Sequence, residues 1–131
     1  MDLYPPLSKE LAGKRAQLAP EVSAAFKAFS QRVFAEGALP VKTKQLIAVA
    51  VAHVTQCPYC IRGHTELAVN HGATEQEVME AIWVAAEMRA GGAYAHANLA
   101  LETMSQLQAG RSGGGTVVNA PPAVSRETKG D

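Results

Sequence analysis

The sequence is short of surplus charge, of long apolar runs and of cysteine. Twelve Lys and Arg balance twelve Asp and Glu, so the formal net charge is zero. A chain without excess positive charge is poorly suited to neutralising phosphates, which argues against a general nucleic-acid binder. No apolar run approaches the roughly 18 residues needed to cross a bilayer. The opening Met1-Asp2-Leu3-Tyr4-Pro5-Pro6 does not lead from a charged segment into an apolar stretch, so no secretory signal is expected. Aromatic residues make up only 5% of 131 residues, yet 47% are apolar, too many for a disordered chain. The expectation is one soluble globular domain in the cytoplasm. A domain of this size buries only about two-thirds of its unfolded surface, so self-association would help it. Two cysteines are the whole supply, and they lie three residues apart.

Strand-like alternation is also scarce, while alanine is abundant at 24 residues. From Gln108 onward the chain is rich in Gly, Pro and Ser, and cannot bury enough surface to offset its ordering entropy. Residues 108–131 therefore read as a flexible tail, and 1–107 as the globular part. Within that part, Pro20 suits the first position of a helix carrying Val22, Ala25, Phe26, Phe29 and Val33, with a stop at Gly37. A second helix from about Val41 is apolar nearly all round, through Leu46, Ile47, Val49, Val51 and Val54, which suggests a buried central helix. Pro58 opens a third helix with Cys57 at its N-cap, ending near Gly72. Thr74-x-x-Glu77 is a capping box for a fourth helix carrying Val78, Met79, Ile82 and Trp83. Gly91-Gly92 is expected to break the chain before a last helix from about Ala93 to Leu107. No internal repeat is visible.

The chemically loaded segment is His53-Val-Thr-Gln-Cys57-Pro-Tyr59-Cys60-Ile-Arg-Gly-His64. Cys57 and Cys60 both face the first helical turn, where their sulfurs can approach closely enough for a disulfide. Unpaired N–H groups at the helix start favour a thiolate at Cys57. His64, four residues after Cys60 on the same face, favours one at Cys60. These residues leave the choice open. A structural disulfide would not persist in a reducing cytoplasm, so a cycling pair fits better. The alternatives are inert buried thiols or half a zinc site with His64 and His53. A structural zinc site would bring a second Cys/His pair, which the chain lacks. Covalent haem needs a histidine where Ile61 stands, and a thioredoxin fold needs βαβ patterning.

The stretch from Leu46 to Met88, with a buried helix, Cys-x-x-Cys-x-x-x-His, a Gly-Ala turn and a further helix, resembles the carboxymuconolactone decarboxylase superfamily. It is most similar to its alkylhydroperoxidase (AhpD-like) branch, over about residues 20 to 107. The resemblance implies an all-α bundle of about five to six helices, assembled as a homo-oligomer, typically a trimer or hexamer. It also implies a thiol-dependent peroxidase that reduces hydroperoxides. On that reading Cys60 is the peroxidatic cysteine, Cys57 resolves its sulfenic acid, and His64 relays protons. The family usually has a glutamate where this chain has Gln45. An amide can orient His64 but cannot support an imidazolium by charge, so Cys60 is expected to ionise less readily. Glu36, Glu66 and Glu80 are the candidates for a substitute acid.

His53, Tyr59 and His96 are candidate pocket residues, although His53 equally suits a hydrogen-bonded core position. His71 is expected at the carbonyl end of its helix. Trp83, with Met79 and Ile82, reads as core or interface, and Lys42 and Lys44 as a solvated first turn. No bound cofactor or metal is expected. Electrons would come from an external dithiol, of lipoyl or thioredoxin-like kind. Two other functions compete: a decarboxylase acting on a carboxylated lactone, and a non-enzymatic oligomeric redox sensor whose relay is weakened by Gln45.

Overall fold

A computed structural model of the chain describes residues 3–6 and 8–113. Six α-helices make up these residues, with no strand among them: α1 (Lys9–Leu18), α2 (Pro20–Phe34), α3 (Val41–Thr55), α4 (Pro58–Asn70), α5 (Glu75–Ala95) and α6 (Ala97–Ser112). The all-α expectation therefore holds. Among the described residues no helix is long and apolar enough to cross a membrane. The chain divides after Gly92 into two compact units.

In the first unit the closest packing is between α3 and α4. Val49 and Ala68 are fully buried, and Ala73, Val78, Leu46 and Ile82 close the cluster around them. Alanine at position 68 lets the two helix backbones approach closely. The joint between them is tight. Gln56 takes a left-handed conformation (φ 56°) that ends α3, and the Cys57 N–H then bonds to the Ala52 carbonyl at 3.1 Å. Pro58 supplies the first residue of α4, where its missing N–H costs nothing. Gly72, at φ 91°, turns the chain after α4. The capping box of α5 forms as the sequence implies. Glu77 N–H donates to Thr74 Oγ1, and Thr74 N–H donates to Glu77 Oε1, both at 3.1 Å.

Several expectations are corrected. The sequence pattern gave no sign of α1, which buries no residue and is held at its start by Ser8 Oγ accepting from Leu11 N–H. Gly91 and Gly92 do not break α5. Each costs about 1 kcal/mol relative to Ala, but alanines flank them and the helix continues to Ala95. The break falls at His96. α6 runs past the boundary expected at residue 107 to Ser112, whose hydroxyl bonds back to the Gln108 carbonyl at 3.0 Å. The remainder of the expected tail, 114–131, lies outside the described residues. α3 is not buried all round: Gln45, Val49 and Ala52 are buried, while Ile47, Val51 and Val54 stay exposed. Trp83 is no core residue, being 68% exposed. His71 behaves as expected, with Nδ1–H donating to the Leu67 carbonyl at 2.8 Å.

Candidate functional site

The site is built at the start of α4. Cys57 is its N-cap, with extended backbone (φ −97°, ψ 103°), and Cys60 follows one turn later. Their Cα atoms are 5.2 Å apart and their sulfurs are joined in a disulfide. The Cys60 N–H donates to Cys57 Sγ at 3.2 Å, so that sulfur occupies the place a capping oxygen would take. In the reduced state the same N–H group would stabilise a thiolate there.

His64 stands one turn beyond Cys60. Its Nδ1–H donates to Gln45 Oε1 at 2.7 Å, across from α3. Gln45 is only 3% exposed and is the buried polar side chain of the described core. With the amide oxygen as acceptor, Nδ1 carries a proton, and Nε2 is the ring atom that a proton relay would use. The Phe34 ring stacks on the imidazole with centroids 5.1 Å apart and planes inclined by 29°. One bond and one stacked ring thus fix the orientation of His64.

Cys60 and His64 line a cavity of about 430 Å³. Val33, Phe34, Ile47, Ala48, Val51 and Ala52 make its wall largely apolar, with Lys44 and Thr55 as further polar members. No Asp or Glu is among the described residues lining it. The substitute acids do not gather here. Glu36 accepts from Val41 N–H at 3.1 Å and so caps α3, while Glu66 and Glu80 are exposed and absent from the lining. Among the described residues no cluster of three His, Cys, Asp or Glu side chains suits a metal ion.

The other candidates go elsewhere. His53 Nδ1–H donates to the Val49 carbonyl of its own helix at 2.7 Å, a half-buried structural role outside the cavity lining. Tyr59 packs edge-on against Tyr4, with ring centroids 5.9 Å apart, and likewise does not line the cavity. His96 is exposed at the residue before α6, in the second unit. Sequence reasoning missed Phe34 and misjudged Lys44. Lys44 is no solvated bystander: its Nζ donates to the Val33 and Ala35 carbonyls at 2.9 and 2.7 Å, closing the C-terminal end of α2. Lys42 pairs with Glu77 at 2.9 Å, linking α3 to α5. The spacing of Lys44 from Ile47, Ala48 and Val51 was a usable signal for the cavity face, whereas nothing local pointed Phe34 at His64.

Residues 20–103 match the sequence profile of the carboxymuconolactone decarboxylase family. An uncharacterised protein of the cox locus of Paracoccus denitrificans is 55% identical over 106 residues, covering 81% of this chain and 96% of its own length. Among solved structures, a carboxymuconolactone decarboxylase family protein from Legionella pneumophila is 35% identical, with a TM-score of 0.59 over 74% of this chain and 87% of that one. A Thermotoga maritima member of that family, considered a candidate for the antioxidative response, is 27% identical. Its TM-score is 0.52, over 84% of this chain and 99% of that one.

Proposed function

This chain belongs to the carboxymuconolactone decarboxylase family, and on that premise we propose that it is a thiol-dependent peroxidase reducing hydroperoxides through a disulfide cycle. One observation carries the reading: a bonded Cys57–Cys60 pair with an oriented histidine one turn on, with Cys60 and His64 both in the wall of an apolar cavity. The antioxidative candidacy of the Thermotoga maritima relative points the same way.

In the proposed cycle, His64 Nε2 takes the proton of Cys60. The thiolate attacks the terminal oxygen of the hydroperoxide; the S–O bond forms as the O–O bond breaks. The alkoxide leaves as an alcohol, taking up the proton held by His64. Cys60 is then a sulfenic acid. Attack by Cys57 forms the disulfide and releases water. An external dithiol, of lipoyl or thioredoxin-like kind, returns two electrons and two protons and is itself oxidised. The cycle needs no metal, haem or flavin in the subunit. The protein is further proposed to work in the cytoplasm as a homo-oligomer, a trimer or hexamer.

The test is peroxide consumption with dihydrolipoamide as donor. Cys60→Ser should abolish turnover. With the dithiol left out, Cys57→Ser should consume about one equivalent of peroxide per subunit and stop at the sulfenic acid. Activity surviving both substitutions would sink the proposal. A second reading, an oligomeric redox sensor, draws on one observation: Gln45 gives His64 an amide where a fast relay would want a charge. Negligible turnover together with an oxidation-dependent change in assembly size would favour it.

A further inference from the structure

Lys44, a cation that the peroxide cycle leaves unused, is among the residues lining the cavity. Lys44 is half-buried and lines the same space as Cys60 and His64. Two of its three ammonium N–H groups are committed to the Val33 and Ala35 carbonyls. That anchorage holds the charge in place and leaves one donor. No described carboxylate of the lining faces it. On α3, the lining residues from Lys44 to Thr55 recur at three- and four-residue spacing, so the cavity follows one helix face. That face is about 16 Å long at about 1.5 Å per residue. Bonds from Cys57 N–H to Ala52 and from His64 to Gln45 run α4 alongside it. The reactive sulfur therefore lies part-way along the face, and the cation lies at its end. The volume also speaks to the occupant. The cavity opens to solvent beside the half-exposed Val33, Ile47 and Val51 and has a volume of about 430 Å³. It falls within the range of about 300–1,000 Å³ for organic ligands.

We propose that this cavity binds an apolar carboxylic acid, its carboxylate on Lys44 and its chain along the exposed face of α3. Carboxylate-bearing organic hydroperoxides are then the preferred substrates, a step that rests on the peroxidase reading. The acid site itself does not depend on that reading.

Calorimetric binding of octanoate and of methyl octanoate to the disulfide form tests the site without turnover. Octanoate should bind at least about fivefold more tightly than the ester, since a charge-assisted bond is lost with the ester. Lys44→Gln should erase the difference, and Lys44→Arg should retain it. In parallel, kcat/KM for a fatty-acid hydroperoxide should exceed that for its methyl ester, and Lys44→Gln should level the two chiefly through KM. Equal binding of acid and ester by the wild type overturns the site, as does no binding of octanoate or a preference that survives in Lys44→Gln. Should Lys44→Gln not fold, loss of the wild-type preference in high salt supports the site, and a salt-insensitive preference overturns it. Preferred octanoate binding with no peroxide turnover keeps the acid site and removes the peroxidase reading.

Discussion

A glutamine amide 2.7 Å from an imidazole behaves unlike a carboxylate in the same place. Both accept the Nδ1–H and fix the ring. The carboxylate gains far more when the second nitrogen takes a proton, because only it sets a negative charge against the imidazolium. Gln45→Glu should therefore raise peroxide turnover, by about tenfold, a modest share of what acid–base groups contribute. It should do so at a cost: position 45 is 3% exposed, and burying a carboxylate there costs on the order of several kcal/mol of solvation, only partly offset by one partner. Kinetics and thermal melts on the same preparation check both halves, and an unchanged rate would show that His64 does not relay protons through residue 45. Cys57, Cys60 and His64 were legible because short spacings place them all within α4 or at its cap, whereas Gln45, on α3, was picked out only through the family resemblance. Phe34 and Lys44 were not legible, because their parts depend on how α2 meets α3 and α4. That approach is tertiary and leaves no trace in local spacing.

The helix start at α5 shows how a sequence signature becomes pH-dependent stability. Lys42 bonds to the Glu77 carboxylate and the Thr74 N–H adds a second bond, holding that carboxyl below its ordinary value of 4.5. A lowered value in the folded chain means the ionised form favours folding. Its contribution is therefore present above pH 4.5 and is lost as the pH falls through the lowered value. Glu77→Gln should melt slightly below the wild type at neutral pH, with the gap closing in acid; a gap independent of pH would assign the effect to shape alone. The effect is small because solvent reaches both side chains. A larger local effect belongs to the turn before α5. Gly72 has φ 91°, and an added Cβ there meets nothing within 4 Å. Gly72→Ala should cost about 1–2 kcal/mol through backbone strain alone, read as a fall in the thermal midpoint. Helices with local punctuation were legible: Pro20, Pro58, Gly72 and the Thr74–Glu77 box all sit where the sequence places them. α1 escaped because it has no buried face to impose a period. The Gly91-Gly92 pair misled because glycine weakens a helix without forbidding it, and flanking alanines carry α5 across.

At the scale of the whole molecule, large apolar side chains of the first unit stand open to solvent. On α2, Val22, Phe26 and Phe29 are 71, 69 and 63% exposed, with the two rings 6.3 Å apart. On α5, Trp83, Val84 and Met88 are 68, 60 and 63% exposed. α6 buries no residue at all, although a helix of its length is marginal in water without an apolar partner. At about 150–250 Å² per ring, Phe26 and Phe29 alone leave roughly 200–330 Å² open on α2, a large part of the apolar patch of an ordinary monomer. The zero net charge opposes association only weakly. A second copy of the chain is the occupant we propose for the α2 face. The purified protein should then sediment at a multiple of its 13.8 kDa subunit mass. Phe26→Asp combined with Phe29→Asp should shift it toward that mass, because two charges at the centre of a dry contact each lose hydration without gaining a partner. Both rings already face water in the isolated chain, so the substitutions remove little from its own core. Monomeric wild-type protein, or an undiminished oligomer in the double variant, would place the association elsewhere or nowhere.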